Sequence, residues 1–431
     1  MEQQGVGVTR VMPQEDIAAF AKIYGNAYPG IGVVTPEDRE RFGQYLAQQS
    51  GYADVELYGH YRADKLVGGM ILYDFQMNWF GDGRTKLPVG GVGTVAVDLL
   101  HKKEHVAKEM LTYFLRHYKD RGCKMLALYA FRPDFYGLMG FGLATKMSQY
   151  RVKPCDLPKG PSKGHVRELT AEDRPLLQAC YQRVAERTHG MFDKTENELN
   201  RMFANATLQR VGVEQDGQLT GYLTFVFKKG AEDNFLLNDI QVQELVYETP
   251  EALSELMTFL HAQADQIRHV VINTQDEFFH YLPQDARYAP GSRMIPSVYH
   301  ESHHSGIGLM FRVLDVRGLL EELAERDREY AGPDLRVKLT IQDTFFPEND
   351  GSVLVQVQDG RMQVVAEGEA EGEADVEVAL DIADFSSWVL GAVTLKALYR
   401  YSRAKVSDPA CLSALHALFA FEEKPICLTA F

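Results

Sequence analysis

Cysteine is scarce in this chain, with five among 431 residues, at Cys123, Cys155, Cys180, Cys411 and Cys427. A scattered, odd-numbered set builds neither a disulfide framework nor a C-x-x-C metal pair, and no metal site is expected. Cys123 sits in an apolar run and reads as a buried thiol rather than a nucleophile. No apolar stretch approaches the ~18 residues of a membrane span. The opening Met1-Glu2-Gln3-Gln4-Gly5 has neither the basic nor the apolar region of a secretory leader. A cytoplasmic protein with no membrane partner is therefore expected. Positive charge is short as well: 45 Lys and Arg face 60 Asp and Glu, a formal charge of −15. That balance argues against a general nucleic-acid binder and favours cationic ligands.

Apolar material is ample, at 45% hydrophobic and 11% aromatic residues, so the chain can bury ordinary cores. Its length suits two or three domains. The most informative stretch runs from Val89 to Tyr150. Val89–Asp98 is an apolar strand pattern, and Leu100-His101-Lys102-Lys103-Glu104-His105 is a short basic segment. Val106, Ala107, Met110, Leu111, Phe114, Leu115 and Tyr118 then recur at helical steps, predicting a helix from Val106 to about Arg121. Cys123–Tyr129 has strand length. Pro133-Asp134-Phe135-Tyr136-Gly137-Leu138-Met139-Gly140-Phe141-Gly142 reads as a Pro-started helical turn closed by glycines. The basic loop of this βαβ unit lies at a helix N-terminus, where unpaired N–H groups and the helix dipole favour a phosphate.

This arrangement resembles the GNAT acetyltransferases, whose loop Arg/Gln-x-x-Gly-x-Gly/Ala holds the pyrophosphate of acetyl-CoA. Here the loop reads Lys102-Lys103-Glu104-His105-Val106-Ala107, with His105 where the family has glycine. The downstream Tyr136-Gly137-x-x-Gly140-Phe141-Gly142 is similar to the Eis (enhanced intracellular survival) aminoglycoside acetyltransferases. Upstream, helices are predicted over 14–25 and 36–49, then strands Val55–Tyr61 and Leu66–Met77 around a turn at Arg62-Ala63-Asp64-Lys65. That order matches the family's.

An internal repeat follows. Leu208–Phe227 repeats the strand, polar turn and strand of Glu56–Leu72. A strand (Asp239–Val246), an amphipathic helix (Pro250–Ile267) and a strand (Val270–Asn273) then continue it. The corresponding loop, Tyr247-Glu248-Thr249-Pro250-Glu251, is acidic and would repel a pyrophosphate, so a cofactor-free copy lining the acceptor pocket is expected. From Gly306 strands are predicted at Leu309–Val316 and Leu335–Thr344 about a helix at Leu319–Arg326. A hairpin turning at Asp359-Gly360 and helices near Ile382–Leu390, Leu395–Tyr401 and Pro409–Phe419 come after. This block resembles the sterol-carrier-protein-like third domain of Eis proteins. The fold class expected is α+β, or mixed α/β: a GNAT domain over 1–155, a degenerate GNAT-like domain over 156–305 and a sterol-carrier-protein-2-like domain over 306–431.

The resemblance implies transfer of acetyl from acetyl-CoA to a primary amine of a small cationic acceptor (aminoglycoside, polyamine or lysine-like) by direct attack in a ternary complex. It also implies a homo-hexamer. Tyr136 would protonate the CoA thiolate, since a phenol with a pKa of about 10 stays a proton donor at neutral pH; as a packing tyrosine it would have no such role. The carboxylate of Phe431 would take the amine proton, and the apolar tail Pro425–Phe431 is costly to leave in water. Cofactor contacts would come from Val95, Ala96 and Val97 on the strand, from Lys103, Glu104, His105, Val106, Ala107 and Lys108 at the loop, and from Phe131 and Arg132. Two other classes remain: a GNAT scaffold without catalysis, and an apolar-ligand carrier acting through the third domain.

Three other features have plain readings. His300-Glu301-Ser302-His303-His304 spells H-E-x-x-H but meets Ser305-Gly306 at once, and a solvated linker accounts for it better than a zinc helix. Glu367–Glu377 alternates carboxylates, as a solvated turn does. Trp79 and Phe80 read either as an acceptor-cleft edge or as hairpin core.

Overall fold

Three sheets carry the architecture, and long-range strand exchange links them. The computed structural model describes residues 7–231, 234, 237–289, 291–326, 329–330, 332–366 and 374–431. In chain order the first unit contains β1 (Val8–Val11), α1 (Ile17–Ala27), α2 (Pro36–Gln49), β2 (Val55–Arg62), β3 (Lys65–Asn78), β4 (Lys86–Val97), α3 (Val106–Asp120), β5 (Met125–Tyr129) and α4 (Pro133–Gly137). Thr35 caps α2 through a reciprocal pair with Asp38. The β2–β3 turn places Ala63 and Asp64 both at positive φ, the conformation a two-residue hairpin needs. The apolar stripe of α3 (Val106, Met110, Leu111, Phe114, Leu115, Tyr118) is buried against the sheet, as its spacing predicts.

The first sheet has the order β1-β2-β3-β4-β5, then strand 309–313, then 142–143. Strand 309–313 pairs antiparallel with β5 from Leu309↔Tyr129 to Val313↔Met125. Sequence pattern grouped that strand with the third block; in the structure it completes the first sheet. Strand 146–152 leaves the first unit in turn to pair with 267–274 in the second sheet. The second sheet runs 304–307, 146–152, 267–274, 238–247, 218–229, 209–215, 166–168. Its hairpin turns at Asp216 and Gly217, again at positive φ, and its strands 238–241 and 267–271 pair in parallel as β4 and β5 do. The repeat is thus a repeat of topology.

Helix 250–261 stops short of Ile267, because Gln263, Asp265 and Gln266 offer it no apolar face. Helices 174–186 and 196–204 were not read from the sequence. The third sheet runs 361–364, 351–358, 335–342, 376–381, 404–406, with Phe385, Trp388 and Phe419 packed edge to face in its core.

The H-E-x-x-H segment is no linker. His300 belongs to a short strand and His304 opens strand 304–307 at the edge of the second sheet. The helical face a zinc pair requires does not exist there. Of the acidic run, 367–373 lie outside the described residues. Asp375 accepts the N–H of Arg336 at 2.7 Å and Glu377 pairs with Lys338 across strands at 3.1 Å. Trp79 is fully buried and Phe80 stacks on Phe421 at 5.6 Å, so the hairpin-core reading holds.

Candidate active site

The site grows from an irregularity in β4. Against β3, Gly69 faces Ala96 but Ile71 faces Gly93, so Thr94 and Val95 stand opposite Met70 alone. This is a β-bulge, with Thr94 at φ +54°. On its other side β4 pairs with β5 only from Val89↔Met125 to Val92↔Leu128. Beyond Val92 the two parallel strands part. The backbone of 93–97, which includes the predicted Val95, Ala96 and Val97, therefore borders an open wedge with no strand on the β5 side among the described residues.

At the wide end of that wedge is the start of α3. His105 is its N-cap, at φ +65° and ψ +8°, and its side chain caps nothing. The residue that departs from the family glycine has adopted the left-handed backbone that glycine takes most readily. His105 is exposed. Lys103 is also at positive φ and exposed. With no side-chain acceptor among the described residues, the first N–H groups of α3 (buried Val106, half-buried Ala107, exposed Lys108) remain available to an anion. Glu104 is paired with Arg62, which donates to its carboxylate at 2.9 Å and to its carbonyl at 2.7 Å and also bonds Glu109 at 2.8 Å. Lys108 reaches over the ring of Phe345, 5.7 Å from its centroid. In the second unit Thr249 caps helix 250–261 by accepting the N–H of Ala252. There Arg183 clamps Glu248 at 2.5 Å. The two helix openings are chemically opposite.

Tyr136, on α4, is buried among aromatic rings, with Phe135 at 5.2 Å, Phe131 at 6.0 Å and Phe141 at 6.3 Å. Burial pushes its phenol pKa up, and Tyr28 adds to the shift. Among the described residues its hydroxyl has no hydrogen-bond partner. Phe131 stands against Tyr28 at 5.6 Å, and Tyr28 donates to the carbonyl of Val95 at 2.5 Å. Burial raises the Tyr28 pKa to about 12. A chain of contacts thus runs from Tyr136 to the bulge. Arg132 is turned outward and paired with Asp134 at 2.5 Å.

Phe431 closes the other side. Its ring is boxed by Phe75 (4.8 Å), Tyr129 (5.2 Å), Tyr73 (5.5 Å) and Phe192 (6.4 Å). Its terminal carboxyl lies so close to β4 that a Cβ on Gly93 would come within 3.2 Å of the carboxyl carbon. The tail is pinned on the way in. Gln275 bonds both the N–H and the carbonyl of Cys427 at 2.8 Å. Tyr129 donates to the Thr429 carbonyl at 2.8 Å and Arg201 to that of Ala430 at 3.3 Å. These tail anchors come from both the first and second units.

The structure therefore brings the loop, the bulge, Tyr136 and the chain terminus around one wedge. Tyr28, Tyr73, Tyr129, Phe192 and Arg201 were not singled out from sequence. The alternation of Tyr73, Phe75 and Met77 along β3 marks a shared face, a signal that could have located part of this box.

Comparisons with known proteins fit this geometry. Family models described as acetyltransferase (GNAT) domains match residues 9–144 and 184–307. A sterol carrier protein domain model matches residues 321–428. An uncharacterized N-acetyltransferase of Streptomyces avermitilis is 24% identical over 431 residues, spanning 95% of this chain and 96% of that protein. N-acetyltransferase Eis of Mycobacterium tuberculosis is 24% identical over 366 residues, spanning 82% of this chain and 83% of its own. Among solved structures, a GCN5-related N-acetyltransferase from Anabaena variabilis superposes with a TM-score of 0.79 at 17% identity, covering 99% of this chain and 100% of that one. Eis1 from Mycobacterium abscessus gives a TM-score of 0.75 at 19% identity with the same coverage. The chain thus has a mixed α/β fold of tandem GNAT domains and a C-terminal sterol-carrier-like domain. This GNAT acyltransferase fold supports enzymatic acetyltransferase activity.

Proposed function

We propose that the protein is an Eis-like N-acetyltransferase that moves acetyl from acetyl-CoA to a primary amine of a cationic acceptor, of the aminoglycoside, polyamine or lysine-like class. One observation carries this reading: a wedge between parted parallel strands ends at an uncapped, lysine-flanked helix N-terminus, with a buried phenol and the chain's own carboxylate beside it. The residues present suit the donor. Amides at the start of α3 would receive the diphosphate, and the free edge of Val95–Val97 would pair with the pantetheine arm. Acetyl-CoA supplies the thioester carbonyl that the amine attacks.

Tyr136 is the proposed proton donor to the departing thiolate. Its raised pKa keeps it protonated through the neutral range and beyond, so it imposes no fall in rate below pH 10. The Phe431 carboxylate is the proposed base that takes the ammonium proton, without which nitrogen has no lone pair to offer. Arg201 and Tyr129 hold the tail that carries it.

The test is thiol release across a panel of amines. Tyr136→Phe is expected to lower kcat about 10²-fold, with KM for acetyl-CoA within about threefold of the parent, since uniform binding is untouched. Full turnover in this variant would remove Tyr136 from the chemistry. A second expectation concerns the loop. His105→Gly keeps the left-handed N-cap at lower backbone cost, about 1 kcal/mol, so acetyl-CoA affinity by calorimetry should equal or exceed the parent's. A tenfold loss would mean that the imidazole itself binds the donor.

A further inference from the structure

The second unit holds a cavity of about 820 Å³, a volume ordinary for small-molecule sites. It opens where strands 238–247 and 267–274, paired in parallel only as far as Gln241↔Val271, separate. The same parting of strands makes the wedge of the first unit. The third unit roofs it with Val393, Thr394, His416 and the segment 419–428. None of Tyr136, Phe431 or residues 93–97 lines it, so it is separate from the acetyl-transfer wedge. The tail residues Ile426 and Leu428 form its inner wall.

Its lining combines two chemistries. Tyr247, Phe278 and Tyr281 stand around it with exposures of 37%, 67% and 79%, far more aromatic surface than a closed core leaves. Asp276, Glu422 and Glu423 add carboxylates that have no ion-pair partner among the described residues. The other acidic groups of the lining are satisfied: Glu244 by Lys194 at 2.7 Å and Glu277 by Lys424 at 3.1 Å. Lys424, the one lysine in the lining, is therefore already engaged. The nearby helix opening at Pro250 is capped and acidic, so a second diphosphate is excluded. Asp276 accepts the N–H of Phe278 at 2.8 Å but keeps its charge uncompensated, and aromatic faces next to carboxylates without a cationic partner attract organic cations, through cation–π and ion-pair terms acting together.

We propose that this cavity is a second binding site, for an organic ammonium compound with an apolar body. The cationic head faces Asp276, Glu422 and Glu423, while the body lies against Ile272, Phe278 and Tyr281. The site stands on its own lining and does not depend on the acetyl-transfer reading.

Octyltrimethylammonium is a suitable probe, because a quaternary nitrogen cannot be acetylated and its binding is read without turnover. Calorimetry on the full chain should show saturable one-to-one binding, none for octanoate of the same chain length, and a loss of about tenfold or more in the Asp276→Asn/Glu423→Gln double variant. Phe278→Ala, which alters an exposed side chain, should weaken it as well. Absence of saturable heat, equal binding of octanoate, or an affinity indifferent to both variants would overturn the proposal.

Discussion

Two glycines added after Phe431 are expected to lower kcat for amine acetylation by about 10²- to 10⁴-fold, the range a positioned proton acceptor contributes. The extension leaves the aromatic box and the bonds to Cys427, Thr429 and Ala430 in place. It removes only the negative charge beside Gly93 and carries it out on a flexible linker. Acetyl-CoA affinity and the thermal midpoint should therefore stay at parent values while thiol release collapses. Deleting Phe431 is a blunter experiment, because burying a phenylalanine ring also stabilises by about 1.5–3 kcal/mol. If the extended chain turns over at the parent rate, the terminal carboxylate is not the base.

The second large effect is expected at Arg312 and Asp343, two side chains with no exposed surface that form an ion pair in the core. Arg312 is on strand 309–313, and its Nη1 donates to the carbonyl of Met139 at 2.5 Å, three residues beyond Tyr136. Asp343 accepts the N–H of Phe346 at 2.9 Å. Burial lowers the Arg312 pKa and the neighbouring Asp343 opposes that shift. Asp343→Ala leaves an unpaired guanidinium in the interior, which costs about 3–5 kcal/mol. A matching drop in the denaturant midpoint is expected. Replacing both residues, as in Arg312→Met/Asp343→Leu, should recover most of that stability, since a packed apolar pair needs no compensating charge. Activity should recover less, because the Met139 carbonyl loses its donor and the α4 turn its anchor. Gly140 belongs to the same device. It sits at φ +81°, and a Cβ there would fall 1.4 Å from Arg312 Nη1, so glycine is required by both conformation and space.

Local patterns were legible in the sequence because local physics sets them. The turns at Asp216-Gly217 and Asp359-Gly360 adopt the positive φ that Asp-Gly pairs favour, and the turn read at Arg62-Ala63-Asp64-Lys65 is present although Ala63 must also take positive φ. The apolar stripe of α3 and the repeat were readable for the same reason. What escaped is long-range. Strand 309–313 joins a sheet whose neighbouring strand ends at Tyr129, and no periodicity records such a pairing. The bulge at Thr94-Val95 leaves no compositional mark, yet it makes the wedge. Tyr136 and the terminus could be named in advance, whereas Tyr28, Phe192 and Arg201 arrive from three separate segments. His105 shows the limit in both directions. Its departure from glycine was visible, but only the folded chain shows its backbone in the left-handed conformation that glycine takes readily.

A crystal structure of the CoA complex decides where the donor lies. The diphosphate is expected on the N–H groups of Val106–Lys108 and the pantetheine along Val95–Val97, with the sulfur on the side of Tyr136. A diphosphate seated anywhere else, or a pantetheine arm outside the β4–β5 wedge, would contradict that placement.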